Sequence, residues 1–199
     1  EHHAWREWGA LEGVFELTDQ TLVLAGLGAI GLEIARRAKP FGMHIIGVRR
    51  TDSSELPANV DEIVTIAELD SVLARADHVV NSLPFTPATG KLFDADRFAA
   101  TKQGAHFYNL GRGTTVDQLA LIEALESGHL GGAGLDVTDP EPLPETSPLW
   151  DMENVIITSH SSGHSPRMLQ RRYDMLCENI RRYLAHEEML NVVDQSHGY

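Results

Sequence analysis

Cysteine is almost absent. Cys177 is the only one among 199 residues, so no internal disulfide can form. That count fits a reducing compartment such as the cytoplasm. Basic residues are also scarce: 16 Lys and Arg stand against 29 Asp and Glu, for a formal net charge of −13. Nucleic-acid binding needs a basic face, and this composition argues against one. No apolar run is long enough to cross a bilayer, so no membrane span is expected. Repeats and low-complexity stretches are missing too. No signal-peptide pattern is present, but the chain opens at Glu1 without an initiator Met. That start reads as a truncation, which gives the missing targeting signal little weight. Hydrophobic residues make up 42%, enough for a full core. The length suits one domain, or one domain plus part of another.

Apolar runs alternate with amphipathic segments, the pattern of a parallel sheet with crossover helices. Strands are expected at Thr21–Ala25, His44–Val48, Glu62–Thr65, His78–Ser82, His106–Leu110, Gly134–Val137 and Val155–Ser159. Helices are expected over Ile30–Lys39, Leu69–Ala76, Ala95–Ala100 and Asp117–Ser127. The fold class is therefore α/β, a doubly wound parallel sheet of the Rossmann type. Asp139–Pro148 is proline-rich and polar, which predicts an ordered surface loop. Pro166 suits the first turn of a long helix reaching about His186, with Met168, Leu169, Tyr173, Leu176, Ile180 and Leu184 on one side. Residues 1–14, with Trp5 and Trp8, read as a linker or interdomain segment. Residues 1–165 then form a dinucleotide-binding domain, and 166–199 form a helix and tail directed at a second domain.

Gly26-Leu27-Gly28-Ala29-Ile30-Gly31 is a GxGxxG segment. Such a string alone is weak, but this one follows a strand and opens a helix. Gly26 would permit the tight turn, Gly28 would let backbone approach a pyrophosphate, and Gly31 would let helix pack on strand. The helix N-terminus adds free N–H donors and a partial positive charge. At the end of the second strand, where an NAD site usually carries Asp or Glu, stand Arg49, Arg50 and Thr51. Arginines pair with a ribose 2′-phosphate that a carboxylate would repel, so NADP is favoured. The alternative is NAD, with both arginines solvated and Asp52 holding the ribose.

Arg112 (in NLGRG), Glu141 (in DPEP) and His160 (in TSHSSG) all follow strand ends, where ligands gather in open α/β sheets. Reduction of a ketone needs a hydride on carbon and a proton on oxygen. A nicotinamide supplies the first, and the protein must supply the second. Histidine exchanges a proton near neutrality, and a neighbouring carboxylate favours its charged form. Arginine stays cationic and matches both oxygens of a carboxylate. His160 and His164 lie four apart, but no third ligand is evident, so no metal site is expected. Cys177 is expected in the last helix as a small apolar residue. Trp150 is expected to pack or to meet a partner subunit.

The segments GLGAIG (26–31), SLPFTPATG (82–90), NLGRGTTVD (109–117), GLDVTDPEPLP (134–144), SPLW (147–150) and NVIITSHSSG (154–163) carry a resemblance. In their order and spacing the sequence resembles the D-isomer-specific 2-hydroxyacid dehydrogenase family. The double arginine is similar to the family's NADP-using glyoxylate and hydroxypyruvate reductases. The resemblance implies that Arg112 grips the substrate carboxylate, that Glu141 pairs with His160, and that His160 shuttles the proton. It also implies that Ala29, Ile30, Pro84, Thr89, Asp136 and the turn of His160, Ser162 and Gly163 line the cofactor. A homodimer, and a small 2-oxo acid or 2-hydroxy acid as substrate, follow in the same way. Two local departures stand out. Ser159 replaces a usual proline, which puts the rigidity of the loop at His160 in doubt, and Thr115 replaces a usual aliphatic residue. The family's substrate domain, built mainly from upstream residues, is largely missing from this chain, so the chain alone is expected to be a poor enzyme. A nucleotide-sensing scaffold, similar to the family's corepressors, is the competing function. Among enzymes, a formate or phosphite dehydrogenase is a third reading, and Glu141 argues against the formate type.

Overall fold

The computed structural model describes residues 15–50 and 55–194. Seven parallel strands form one sheet in the order β3-β2-β1-β4-β5-β6-β7. They are β1 (Thr21–Ala25), β2 (His44–Arg49), β3 (Glu62–Thr65), β4 (His78–Asn81), β5 (Ala105–Asn109), β6 (Leu130–Leu135) and β7 (Val155–Ile157). The helices are α1 (Ala29–Ala38), α2 (Leu69–Leu73), α3 (Ala95–Ala100), α4 (Gln118–Glu126) and α5 (Met168–Leu184). Side chains alternate across a strand, so each strand feeds both faces of the sheet. Leu22, Leu24, Ile45 and Val80 pack with Ala35 of α1. Val23, Ile46, Val79 and Phe107 pack on the other face with Leu73, Phe98 and Leu121 of α2, α3 and α4. Each such fully buried side chain contributes on the order of 2 kcal/mol. The expected doubly wound sheet is the fold observed.

The chain winds from β1 outward to β3, then returns to lay β4 on the other side of β1. The connections leaving β1 and β4 part in opposite directions, which opens a crevice at their carboxyl ends.

Expected and observed elements differ most at β6. The expected start was Gly134, yet the strand begins at Leu130. LGGAGL has poor β-propensity, and glycines there read as a turn. Packing overrides this: a Cβ on Gly132 would stand 2.8 Å from the Asn154 carbonyl, and one on Gly134 would stand 2.9 Å from the Tyr108 ring. Two shorter corrections concern helices. α2 stops at Leu73 rather than Ala76, where tight turns take over with Arg75 N–H on Val72 O and Ala76 N–H on Leu73 O. Cys177 does lie on α5, but it is exposed rather than packed. Trp5, Trp8, Thr51 and Asp52 lie outside the described residues.

At the amino ends of the strands, β4 and β5 place His78 directly opposite His106. Their rings lie 5.5 Å apart, and Phe15 stands 5.3 Å from His106. His78 is only 4% exposed. Its Nε2 meets Gln20 Oε1 at 2.6 Å and its Nδ1 meets Tyr108 Oη at 3.2 Å. Burial pushes the His78 pKa below its ordinary 6.5, and His106 adds to this against a weaker opposing pull from Asp77. Burial also lowers His106. The unfolded chain therefore takes up protons near pH 6.5 that the folded chain refuses. This contribution to stability is complete above pH 6.5 and is lost as the pH falls through that value toward the folded-state pKa values. Urea midpoints at pH 8 and 5.5 should therefore drop in acid, and the drop should shrink in a His78→Asn/His106→Asn double variant. An equal drop in that variant would assign the effect to other groups.

Candidate active site

Helix starts differ in how they use their free amides. α3 and α4 begin at Asp94 and Asp117, whose carboxylates accept from Arg97 N–H at 3.0 Å and Leu119 N–H at 3.2 Å. α1 begins instead at Gly28, with no side-chain cap and no acid in its first turn. Its first amides thus face the crevice with the positive end of the helix dipole behind them. Gly26 turns the chain with φ 101°, and a Cβ there would lie 2.8 Å from Ser82 Oγ. A Cβ on Gly31 would run into the Gly26 carbonyl, whereas one on Gly28 would meet nothing within 4 Å. The elbow is tight where helix meets strand and open toward the crevice, which is the shape a pyrophosphate requires.

From this elbow runs a groove of about 580 Å³. Gly26, Gly28, Arg49, Arg50, Pro84 and Thr89 all line it. Ala29 and Ile30 form the first turn of α1 but are not among its lining residues. Thr89 is 5% exposed, and its hydroxyl donates to Pro84 O and accepts from Thr86 N–H, both at 2.7 Å. It therefore shapes the loop that walls the groove. Sequence reasoning missed Val48, Ile66, Ser82 and Thr86 in that wall. The first two could have been anticipated as apolar residues at or just past strand ends.

Farther along the same edge of the sheet, the end of β6 and the turn after β7 meet. His160 Nδ1 lies 2.7 Å from Glu141 Oε1. Asp136, Glu141, His160 and Ser161 share a hollow of about 520 Å³ that also has an apolar wall of Leu143 and Trp150. His160 sits at φ 51°, in the left-handed region that favours glycine. Its surroundings hold it there: His160 N–H donates to Asp136 O at 2.8 Å. The Asp136 carboxylate accepts from Thr158 Oγ1 at 2.6 Å, Ser161 N–H at 2.9 Å and Ser162 N–H at 3.1 Å. Burial pushes the Asp136 pKa up, but the bonds from Ser162, Thr158 and Ser161 outweigh it and hold the value at about 2. The carboxylate of Asp136 is thus engaged with the turn itself. These bonds on either side of Ser159 hold the loop where the family pattern has proline.

Arg112 follows β5, two strands from His160 along the sheet edge, roughly 10 Å by ordinary strand spacing. Its side chain is exposed, and Nη1 donates to Gly111 O at 2.8 Å. A Cβ on Gly113 would collide with Thr138 O. The arginine loop is therefore pressed against the segment that leads to Glu141. Ser162 and Gly163 lie at the far side of the His160 turn, and a Cβ on Gly163 would meet nothing within 4 Å. His160, Glu141 and Asp136 are brought together directly, Arg112 is held along the same edge, and Thr51 lies outside the described residues. The interior bonds beneath Arg112, from Asn81, Asn109 and Thr115, were not anticipated. Their signal was an asparagine closing each of two apolar strands, HVVN and HFYN.

Known proteins fit this arrangement. Residues 1–162 match the family described as D-isomer specific 2-hydroxyacid dehydrogenase, NAD binding domain. The chain is 37% identical to glyoxylate reductase/hydroxypyruvate reductase of Homo sapiens over 93% of its own length and 56% of that protein's. It is 34% identical to D-3-phosphoglycerate dehydrogenase of Mycobacterium leprae (strain TN) over 98% of its own length and 36% of that protein's. Among solved structures it is similar to an NADPH-dependent glyoxylate/hydroxypyruvate reductase from Sinorhizobium meliloti in complex with NADP and sulfate. That likeness has a TM-score of 0.88 and 34% identity, covering 99% of this chain and 61% of the other. The chain spans little more than half the length of the human reductase, at 56%, and less of the mycobacterial enzyme. On the strength of that match over residues 1–162, the chain belongs to the D-isomer specific 2-hydroxyacid dehydrogenase family, through its NAD binding domain.

Proposed function

We propose that the whole protein transfers a hydride between NADP and a small 2-oxo acid or D-2-hydroxy acid, such as glyoxylate or hydroxypyruvate. The 2.7 Å pairing of His160 with Glu141, on the sheet edge that carries the open elbow, is the observation that carries this reading. A bound nicotinamide supplies or accepts the hydride. The residues of this chain do the rest. α1 amides and Gly28 hold the pyrophosphate, and Arg49 and Arg50 border the groove where a 2′-phosphate would lie. Glu141 accepts the Nδ1 proton of His160, which leaves Nε2 as the proton donor toward substrate. On reduction, His160 gives that proton to the ketone oxygen and becomes neutral. On oxidation it takes the proton back. Arg112 pairs with the substrate carboxylate, which selects acids over plain ketones. Two NADP(H)-bound neighbours, the Sinorhizobium reductase and a 2-hydroxyacid dehydrogenase from Xanthobacter autotrophicus Py2, support the NADP reading.

The division of the chain belongs to the same proposal. Residues 1–165 serve as the dinucleotide-binding part. α5 has no buried residue, and its Leu169, Tyr173, Leu176 and Ile180 are all more than half exposed. That stripe suits docking on a substrate domain. A homodimer and a cytoplasmic setting complete the reading. Among the described residues no helix is long and apolar enough to cross a membrane.

Titration of the chain with NADPH and NADH tests the groove. NADPH should bind more tightly by about tenfold or more, as expected for charge-assisted bonds. An Arg49→Ala/Arg50→Ala variant should lose most of that preference, and equal affinities in the unmodified chain would return the site to NAD. The elbow gives a sharper contrast. Gly28→Ala adds a methyl into open space, so its melting temperature should stay within about 2 °C of the parent while cofactor affinity falls at least tenfold. Gly31→Ala should instead destabilise the fold itself. In the whole protein, His160→Ala should cut turnover of glyoxylate with NADPH by on the order of 10²–10⁴ and leave cofactor affinity within a few-fold. A parent protein that binds NADPH yet never turns over 2-oxo acids would favour the scaffold reading.

A further inference from the structure

Beneath Arg112 lies a polar network that the mechanism above does not use. Asn81 and Thr115 are 0% exposed and Asn109 is 2% exposed. Asn81 Nδ2 donates to Asn109 Oδ1 at 3.0 Å and to Thr115 Oγ1 at 2.7 Å. The single proton of the Thr115 hydroxyl goes to the main-chain oxygen of Arg112, at 2.6 Å. Asn109 Nδ2 and Thr115 N–H also donate to that oxygen, both at 3.2 Å. Asn109 Oδ1 holds Gly111 N–H at 3.1 Å. At its other end, Asn81 Oδ1 accepts from Leu83 N–H at 3.2 Å, and Leu83 lines the cofactor groove.

A hydroxyl in so dry a place carries a penalty unless both its donor and its acceptor capacity are met, and here both are. An aliphatic residue of the same size would fill the space without that requirement. The bonds of Thr115 hold one thing in particular: the peptide from which the Arg112 side chain leaves. A guanidinium that pairs with a carboxylate through two parallel bonds is sensitive to its approach angle. We propose that Thr115 is a positioning residue for Arg112, and that the Asn81–Thr115 link ties the arginine's backbone to the wall of the cofactor groove. The proposal rests on the reading of Arg112 as the group that binds the substrate carboxylate. It makes Thr115 a determinant of substrate affinity that touches neither substrate nor cofactor.

Thr115→Val keeps the shape and removes both bonds, while Thr115→Ser keeps the hydroxyl. In the whole protein, Thr115→Val should raise KM for glyoxylate by about tenfold, with kcat within about threefold and NADPH affinity within about twofold; Thr115→Ser should return KM close to the parent value. A merely structural role would lower active fraction and cofactor binding together, without selective rescue by serine. Hydrogen exchange on this chain gives a readout independent of turnover. Amides of Gly111–Gly113 should exchange faster by about tenfold in Thr115→Val, with those of β1 and β2 unchanged. Unchanged exchange at Gly111–Gly113, or an unchanged KM beside faster exchange, overturns the proposal. A parent protein without any 2-oxo acid turnover would instead sink the oxidoreductase reading, and the exchange result would still decide whether Thr115 holds the Arg112 peptide.

Discussion

Everything at the carboxyl edge of this sheet depends on how closely α1 can approach the turn after β1. Gly31 is set there against the Gly26 carbonyl, and Gly26 against Ser82, the residue just after the neighbouring β4. One methyl group on either inner glycine would push the helix away and tilt its amides off the crevice. The outer glycine stands free, so the same three residues combine a packed inner contact with an open outer one. A cradle for a pyrophosphate is therefore a consequence of packing, set before any ligand is considered.

The rest of the edge is organised by shared backbone contacts. Asn81 links the end of β4 to the end of β5, Gly113 rests on Thr138 beyond β6, and Asp136 holds the turn beyond β7. Each strand end thus fixes the next. The His160 conformation shows what this accomplishes. A non-glycine residue with φ 51° carries backbone strain, and it persists because its amide, its ring and the following turn are all bonded to neighbours. With Glu141 as partner, the imidazole has one nitrogen committed and the other available for the proton transfer proposed above.

Local signals foretold most of this. β1, α1 and β2 were readable because apolar alternation, a helix start and the glycine spacing all agree over Thr21–Arg49. Arg112, Glu141 and His160 could be picked out because all three follow strand ends, where ligands gather in an open α/β sheet. β6 was misjudged because its glycines serve contacts with Asn154 and Tyr108, which lie far away in sequence. The roles of Asn81, Asn109 and Thr115 were hidden for a similar reason. Each residue alone reads as a turn former; the pairing of β4 with β5 brings the two asparagine amides together, and the turn after β5 adds the Thr115 hydroxyl. The bonds of Asp136 to Thr158, Ser161 and Ser162 were hidden in the same way, since they join the end of β6 to the turn beyond β7.

The two ends of the sheet also answer acid in different ways. At the amino end, burial lowers the pKa of His78 and, to the extent that it is covered, of the half-buried His106, so modest acidity already works against the fold there. At the carboxyl end, the acid that holds the His160 turn keeps its charge down to a pH of about 2, because three donors converge on it. An anchor that stays ionised across the whole range in which an imidazole gains and loses its proton keeps the geometry of His160 independent of that proton. The proton transfer proposed for His160 asks for such an anchor: the carboxylate that holds the turn must keep its charge while a proton moves on the ring.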